Sequence, residues 1–230
     1  MTKRSLFVSI ATLAIVGAMA MVVRSARGVT PDSRQVTAPL TAHSYLYGAY
    51  ENAGPKLGEG HDTTAIQSRH TQPQPLSVSE FAAKHACRAD LVIAGRVVDS
   101  ASALTAGGHF IFTDYEVSVD DVVKQNLDAN LVTGDRIIIT RPGGHIQVGS
   151  QHLQAFHEGF PLLEVGSSYL LFLHFLPDTR SYQSTDVEGT FALDGAHARH
   201  IANFPIAIDV AVDRRVFVTA VRNVAFAPCI

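Results

Sequence analysis

Between Asp90 and Leu193 the chain runs through a series of short strand-like segments separated by glycine turns, and that run restricts the fold more than any other feature. Leu91 to Val98 is apolar on both faces, with Gly95 in the middle, where a missing side chain permits a bulge or tight bend. Gly107-Gly108 reads as a hairpin turn. In the next segment Ile111, Tyr115, Val117 and Val119 form one face while Asp114, Glu116, Ser118 and Asp120 form the other. That alternation predicts a half-buried antiparallel strand with its carboxylates in solvent. Strands are also expected at Asp135 to Thr140, Tyr169 to Leu176 and Gly189 to Leu193, with a turn at Pro142-Gly143-Gly144. Ile206, Ile208, Val210 and Val212 alternate with Ala207, Asp209, Ala211 and Asp213, and Val216 to Val221 follows Arg214-Arg215, which predicts a terminal hairpin. Many short strands behind one helix favour a closed or partly closed antiparallel barrel.

The chain begins like an export signal. Lys3 and Arg4 precede an apolar run from Leu6 to Val23, and Ala18-Met19-Ala20 offers a cleavage site. The same run is about 27 Å long as a helix, enough for an uncleaved anchor through residues 6–23. Either reading of residues 1–23 places the rest in an extracytoplasmic space, periplasmic or secreted, with membrane contact only through this segment. Residues 24–76 are rich in Thr, Ser, Gln, Gly, Pro and His without an apolar period, and read as a flexible linker. Within it Tyr45, Tyr47 and Tyr50 form either a docking element or a sticky patch. The folded domain, residues 77–230, opens on Ser77 and Glu80, an S-x-x-E capping box. Val78, Phe81, Ala82, His85 and Ala86 follow at helical spacing, so one short helix should reach Cys87. Cys87 and Cys229 are the only two cysteines. Paired, they would close a loop worth on the order of 4–5 kcal/mol in the chain-entropy model; the alternative is two free thiols.

Ala89-Asp90-Leu91-Val92-Ile93-Ala94-Gly95-Arg96-Val97, Thr113-Asp114-Tyr115, Arg141-Pro142-Gly143-Gly144, Tyr169-Leu170-Leu171-Phe172-Leu173 and Gly189-Thr190-Phe191 occur in an order that resembles a group of uncharacterised exported bacterial proteins. These look like the OB-type barrel of tissue inhibitors of metalloproteinases (TIMP) and netrin modules. The resemblance covers residues 87–193 and implies a mainly β fold: a small antiparallel OB-like barrel with one short N-terminal helix and a C-terminal hairpin. It also implies a metalloprotease-inhibitor-like alternative, in which an N-terminal cysteine binds the target's zinc and Cys87 is the nearest counterpart.

Eleven histidines are the one compositional oddity. His152, His157, His197 and His200 have spacings that suit metal ligands, so a metal-binding protein or metal-dependent hydrolase is a second reading. Solvated loop histidines explain the same residues without a metal. Ser150 has His152 nearby but no Gly-x-Ser-x-Gly, and no P-loop, dinucleotide fingerprint, C-x-x-C pair or calcium loop is present. A formal charge of −3 without a Lys/Arg cluster argues against nucleic acid. The expectation is therefore a non-enzymatic, cofactor-free envelope module that recognises a protein or envelope ligand. Its binding loops are expected around Gly143, Gly144, His145, His157 and the 150–160 loop, with a structural envelope component as the third reading.

Overall fold

The computed structural model describes residue 50 and residues 54–67, 73–126, 130–177, 179–202, 204–208 and 211–224. The signal or anchor at 1–23, Tyr45, Tyr47 and Cys229 lie outside the described residues.

In chain order the elements are β1 (Thr63–Ile66), α1 (Val78–Arg88), β2 (Leu91–Leu104), β3 (Ile111–Gln125), β4 (Arg136–Pro142), β5 (Gly144–Val148), β6 (Gln151–His157), β7 (Ser168–Leu176), β8 (Ser181–Ser184), β9 (Thr190–Asp194), β10 (His197–His200), β11 (Ala211–Asp213) and α2 (Arg214–Val224). Five strands close a barrel in the order β2-β3-β4-β8-β7 and back to β2. All its pairs are antiparallel except β4 with β8, which run parallel at Ile139↔Tyr182 and Thr140↔Gln183. This is a small OB-like barrel. Its interior is apolar where the alternating residues meet: Leu91, Ile93, Val97, Tyr115, Val117, Val119, Ile137, Ile139, Leu171 and Leu173.

Gly95 sits at a register shift in the β2–β3 pairing. A Cβ there would lie 2.7 Å from Val117 Cγ1 and 2.8 Å from Ser118 O, so the bend needs the missing side chain. Along its second edge β7 meets two strands in turn. Its C-terminal half pairs with β8 and its N-terminal half with β9. Residues 185–189 bulge out between them, held by Phe172 N–H on Gly189 O (2.9 Å) and Thr185 N–H on Phe172 O (3.0 Å). Beyond β9 the sheet continues through β10 to β11.

The capping box forms as the sequence requires. Glu80 N–H donates to Ser77 Oγ (3.2 Å) and Ser77 N–H to Glu80 Oε2 (2.8 Å). At the other end of α1, Lys124 Nζ donates to the carbonyls of Ala86 (2.5 Å) and Ala89 (2.6 Å), occupying acceptors that helix geometry leaves open. Phe81, Ala82 and Ala86 pack with Phe172, Phe191, Phe217 and Val221 in a second core outside the barrel. Cys87, near the end of this helix, is disulfide-bonded.

Four expectations change. The terminal hairpin is replaced by α2, so the described residues of the domain form two helices rather than one. Asp213 Oδ1 accepts from Val216 N–H (2.9 Å) in a helix-starting turn, and Phe217 and Val221, four apart, bury one face. The β-branched valines suggested a strand, but tertiary burial of the i, i+4 pair decides for helix. Residues 54–67, expected in the linker, belong to the fold: β1 pairs in parallel with β6, and Tyr50 and Leu57 are buried against Phe110 and Phe112. The 150–160 loop is largely strand β6, paired with β5 around Gly149-Ser150. Asp114, expected in solvent, is only 5% exposed. The β1–β6–β5 sheet packs on the end of the β2–β3 hairpin that carries Phe112, so the outer face of β3 is closed there and opens at Glu116, Ser118 and Asp120.

Candidate functional site

The described residues offer three polar arrangements that the fold builds from separate elements. Two face inward and one faces solvent.

The first lies at the end of the barrel. Alternation along β4 sends Ile137, Ile139 and Arg141 inward, so a guanidinium ends up 1% exposed. Its Nη1 donates to Thr190 Oγ1 (2.7 Å) and Ser184 Oγ (3.2 Å), and its Nη2 to Pro161 O (3.2 Å). The Phe160 ring lies 5.4 Å from its Cζ. Among the described residues no carboxylate faces it, and its Nε has no partner. Burial pulls its pKa down to about 10, against the opposing influence of Tyr115 and Tyr169. The covering segment is tied down by the same tyrosines: Leu163 N–H donates to the Tyr115 hydroxyl (3.2 Å) and Glu164 N–H to that of Tyr169 (2.9 Å). This end is a plug, with its hydrogen-bonding capacity turned inward.

The second is the 185–189 bulge. His85 of α1, with a fully buried side chain, stands between Asp186 Oδ2 (3.2 Å from Nδ1) and Glu188 Oε2 (3.1 Å from Nε2). These are ion-pair distances out of hydrogen-bond alignment. Lys84 adds a 3.3 Å contact to Glu188. Burial alone would lower the His85 pKa, and the two carboxylates more than reverse it, so it is raised. The imidazole holds Glu188 down to about 2. On the other side of the bulge His200 Nε2 meets Val187 O at 3.3 Å, and burial lowers the His200 pKa. Asp114 on β3 is a further buried group: desolvation raises it to about 7, although Thr140 Oγ1 donates to it at 2.8 Å.

The third arrangement is the three-stranded sheet β1-β6-β5, an arm beside the barrel. Its buried face carries Thr64, Ile146, Leu153 and Ala155. The register aligns the other face in rows: Ala65 with Phe156, Thr63 with Gln154 and His145, and His152 with Gln147. None of these seven is an acid, Lys or Arg. Thr63, His145, His152 and Phe156 are exposed and Gln154 is half-buried, with Phe156 at 43%. Among the described residues the side chains of Thr63, His145, His152 and Gln154 have no hydrogen-bond partner, while Gln147 Nε2 donates to Gly149 O (3.2 Å).

Of the expected binding-loop residues, His145 lies on this face. Gly143 and Gly144 serve the junction of barrel and arm instead. Both have positive φ (99° and 149°), and a Cβ on Gly144 would collide with Thr113 Oγ1 and Ser102 Oγ. His157 turns inward: Gly159 N–H donates to its Nδ1 (2.9 Å) and its ring packs near Tyr50 and Phe160. The four proposed metal ligands are not brought together. In strands an offset of five or three residues puts side chains on opposite faces, which separates His152 from His157 and His197 from His200. No group of three or more metal-ligating side chains occurs among the described residues. Ser150 sits at the exposed tip of the arm. Cys87, the nearest counterpart of the inhibitors' cysteine, lies inside α1 with its sulfur in a disulfide.

Sequence reasoning missed Thr63, Gln147, Gln154 and Phe156. A signal was there: Ile146 and Val148, then Leu153 and Ala155, alternate with polar residues across Gly149-Ser150, a hairpin pattern. Compared with known proteins, the chain matches no protein-family model and no curated sequence.

Proposed function

We propose that this chain is a non-enzymatic, extracytoplasmic binding module, related in architecture to TIMP/netrin-like OB barrels, that engages an envelope ligand through the outer face of the β1-β6-β5 arm. The single observation behind this reading is the set of four polar side chains on that face without a hydrogen-bond partner among the described residues, beside an exposed phenylalanine. At the barrel end polar groups are turned inward instead, as at Arg141, Tyr115 and Tyr169. Phe156 stands on the same face two residues along β6 from Gln154 and opposite Ala65, so an aromatic ring lies beside hydrogen-bonding groups that are open to a ligand. The basic start at Lys3 and Arg4 and the apolar run from Leu6 to Val23 support the extracytoplasmic part of the reading.

The test is affinity capture from envelope extract with the full chain as bait, beside a Gln154→Ala/Phe156→Ala variant, with zinc assayed on both. A ligand retained by the first and lost by the second, at equal melting temperature, supports the proposal. Tightly held zinc with no face-dependent ligand would replace it by the metal reading.

A further inference from the structure

We infer that the ligand of the arm is an uncharged, hydroxyl-rich glycan. This rests on the proposed role of the arm and names the chemistry of its ligand.

Charge decides first. A nucleic acid or anionic polymer demands Lys or Arg along its path, and the face has neither. The fixed charges nearest in sequence are Asp62, before β1, and Glu158, after β6, both acidic. Apolar area decides second. A protein interface centres on clustered, fully desolvated side chains, and this face offers one large apolar residue, Phe156, beside the small Ala65.

Hydrogen-bond character decides third. The Thr63 hydroxyl and the Gln154 and Gln147 amides can each donate and accept, and an imidazole such as that of His145 or His152 offers two ring nitrogens to hydrogen-bond with. Sugar hydroxyls have the same dual capacity, so each can pair in either sense. An aromatic face carries negative potential, which suits the C–H surface of a sugar ring. Strand and residue spacings make the patch roughly 10 Å by 14 Å, the scale of a short stretch of glycan.

The test is affinity electrophoresis of the full chain through gels cast with dextran, mannan, galactan or an N-acetylated chitin oligomer, with dextran sulfate as the anionic control. The proposal expects retardation by at least one neutral glycan, unchanged between low and high salt. Phe156→Ala should weaken it about tenfold, the scale of losing an aromatic anchor, and Gln154→Ala should weaken it at an unchanged melting temperature. Retardation by dextran sulfate alone, abolished by salt, would overturn the glycan assignment. So would no retardation by any of the four neutral glycans. In either case, envelope capture that still depends on Gln154 and Phe156 would leave the arm as a binding surface for another ligand, and its loss would remove both readings.

Discussion

The barrel end and the arm are built from the same chain on either side of Gly143-Gly144, yet they use polar side chains in opposite ways. At the barrel end Arg141, Tyr115, Tyr169 and Thr190 are buried and face one another or the covering backbone. On the arm, Thr63, His145, His152 and Gln154 face solvent with no partner among the described residues. Buried polar groups must be satisfied or they cost stability, whereas exposed ones are free to exchange water for a ligand. The barrel is the scaffold and the arm is the surface it presents.

If that division is right, the largest effects on folding belong to the barrel. Arg141→Ala leaves a cavity and unpairs Ser184, Thr190 and the Pro161 carbonyl, so urea unfolding should show a loss on the order of 3–5 kcal/mol. Gly144→Val at the junction must push Thr113 and Ser102 aside at a strained φ, for about 2–4 kcal/mol by the same measurement. Gly95→Val crowds Val117 and the Ser118 carbonyl and should cost roughly 1–3 kcal/mol; a neutral result would contradict the bulge. On the arm the order reverses. Gln154→Ala and His152→Ala should change stability by about 0.5 kcal/mol or less while reducing ligand capture.

The 185–189 bulge sharpens the comparison through pH. His85 has a raised pKa in the fold, so its contribution is complete below its ordinary value near 6.5 and is lost as pH rises through the folded value. Glu188 is depressed from 4.5 to about 2, so its contribution is present above 4.5 and is lost as pH falls toward 2. The clamp should therefore be strongest between about pH 4.5 and 6.5, and melting temperatures across pH should show that window. His85→Gln should flatten the alkaline side. An unchanged profile would mean that α1 is held by its apolar face alone.

What the sequence made legible followed from local patterns. Ser77 and Glu80 announced α1, two-residue alternation announced β3, and short apolar runs announced β4 and β7. A barrel was legible, but the strand that closes it was hidden: β8, Ser181–Ser184, is four residues without an apolar period that pair in parallel with a strand some forty residues earlier. Arg141 was hidden for a related reason: a single arginine at a strand end reads as an exit to solvent unless the covering segment is known. The arm was obscured because β1 lies in a stretch with linker composition and acquires its order from β6. Val216 and Val218 spoke for a strand, and only the packing of Phe217 and Val221 against α1 resolves the helix.

The most direct measurement is hydrogen–deuterium exchange of the full chain with and without soluble envelope extract. The account predicts slowed exchange at residues 63–66 and 144–157, with the barrel strands β2, β3, β4 and β7 unchanged. Protection at the barrel strands with none on the arm, or no protection anywhere, would contradict it.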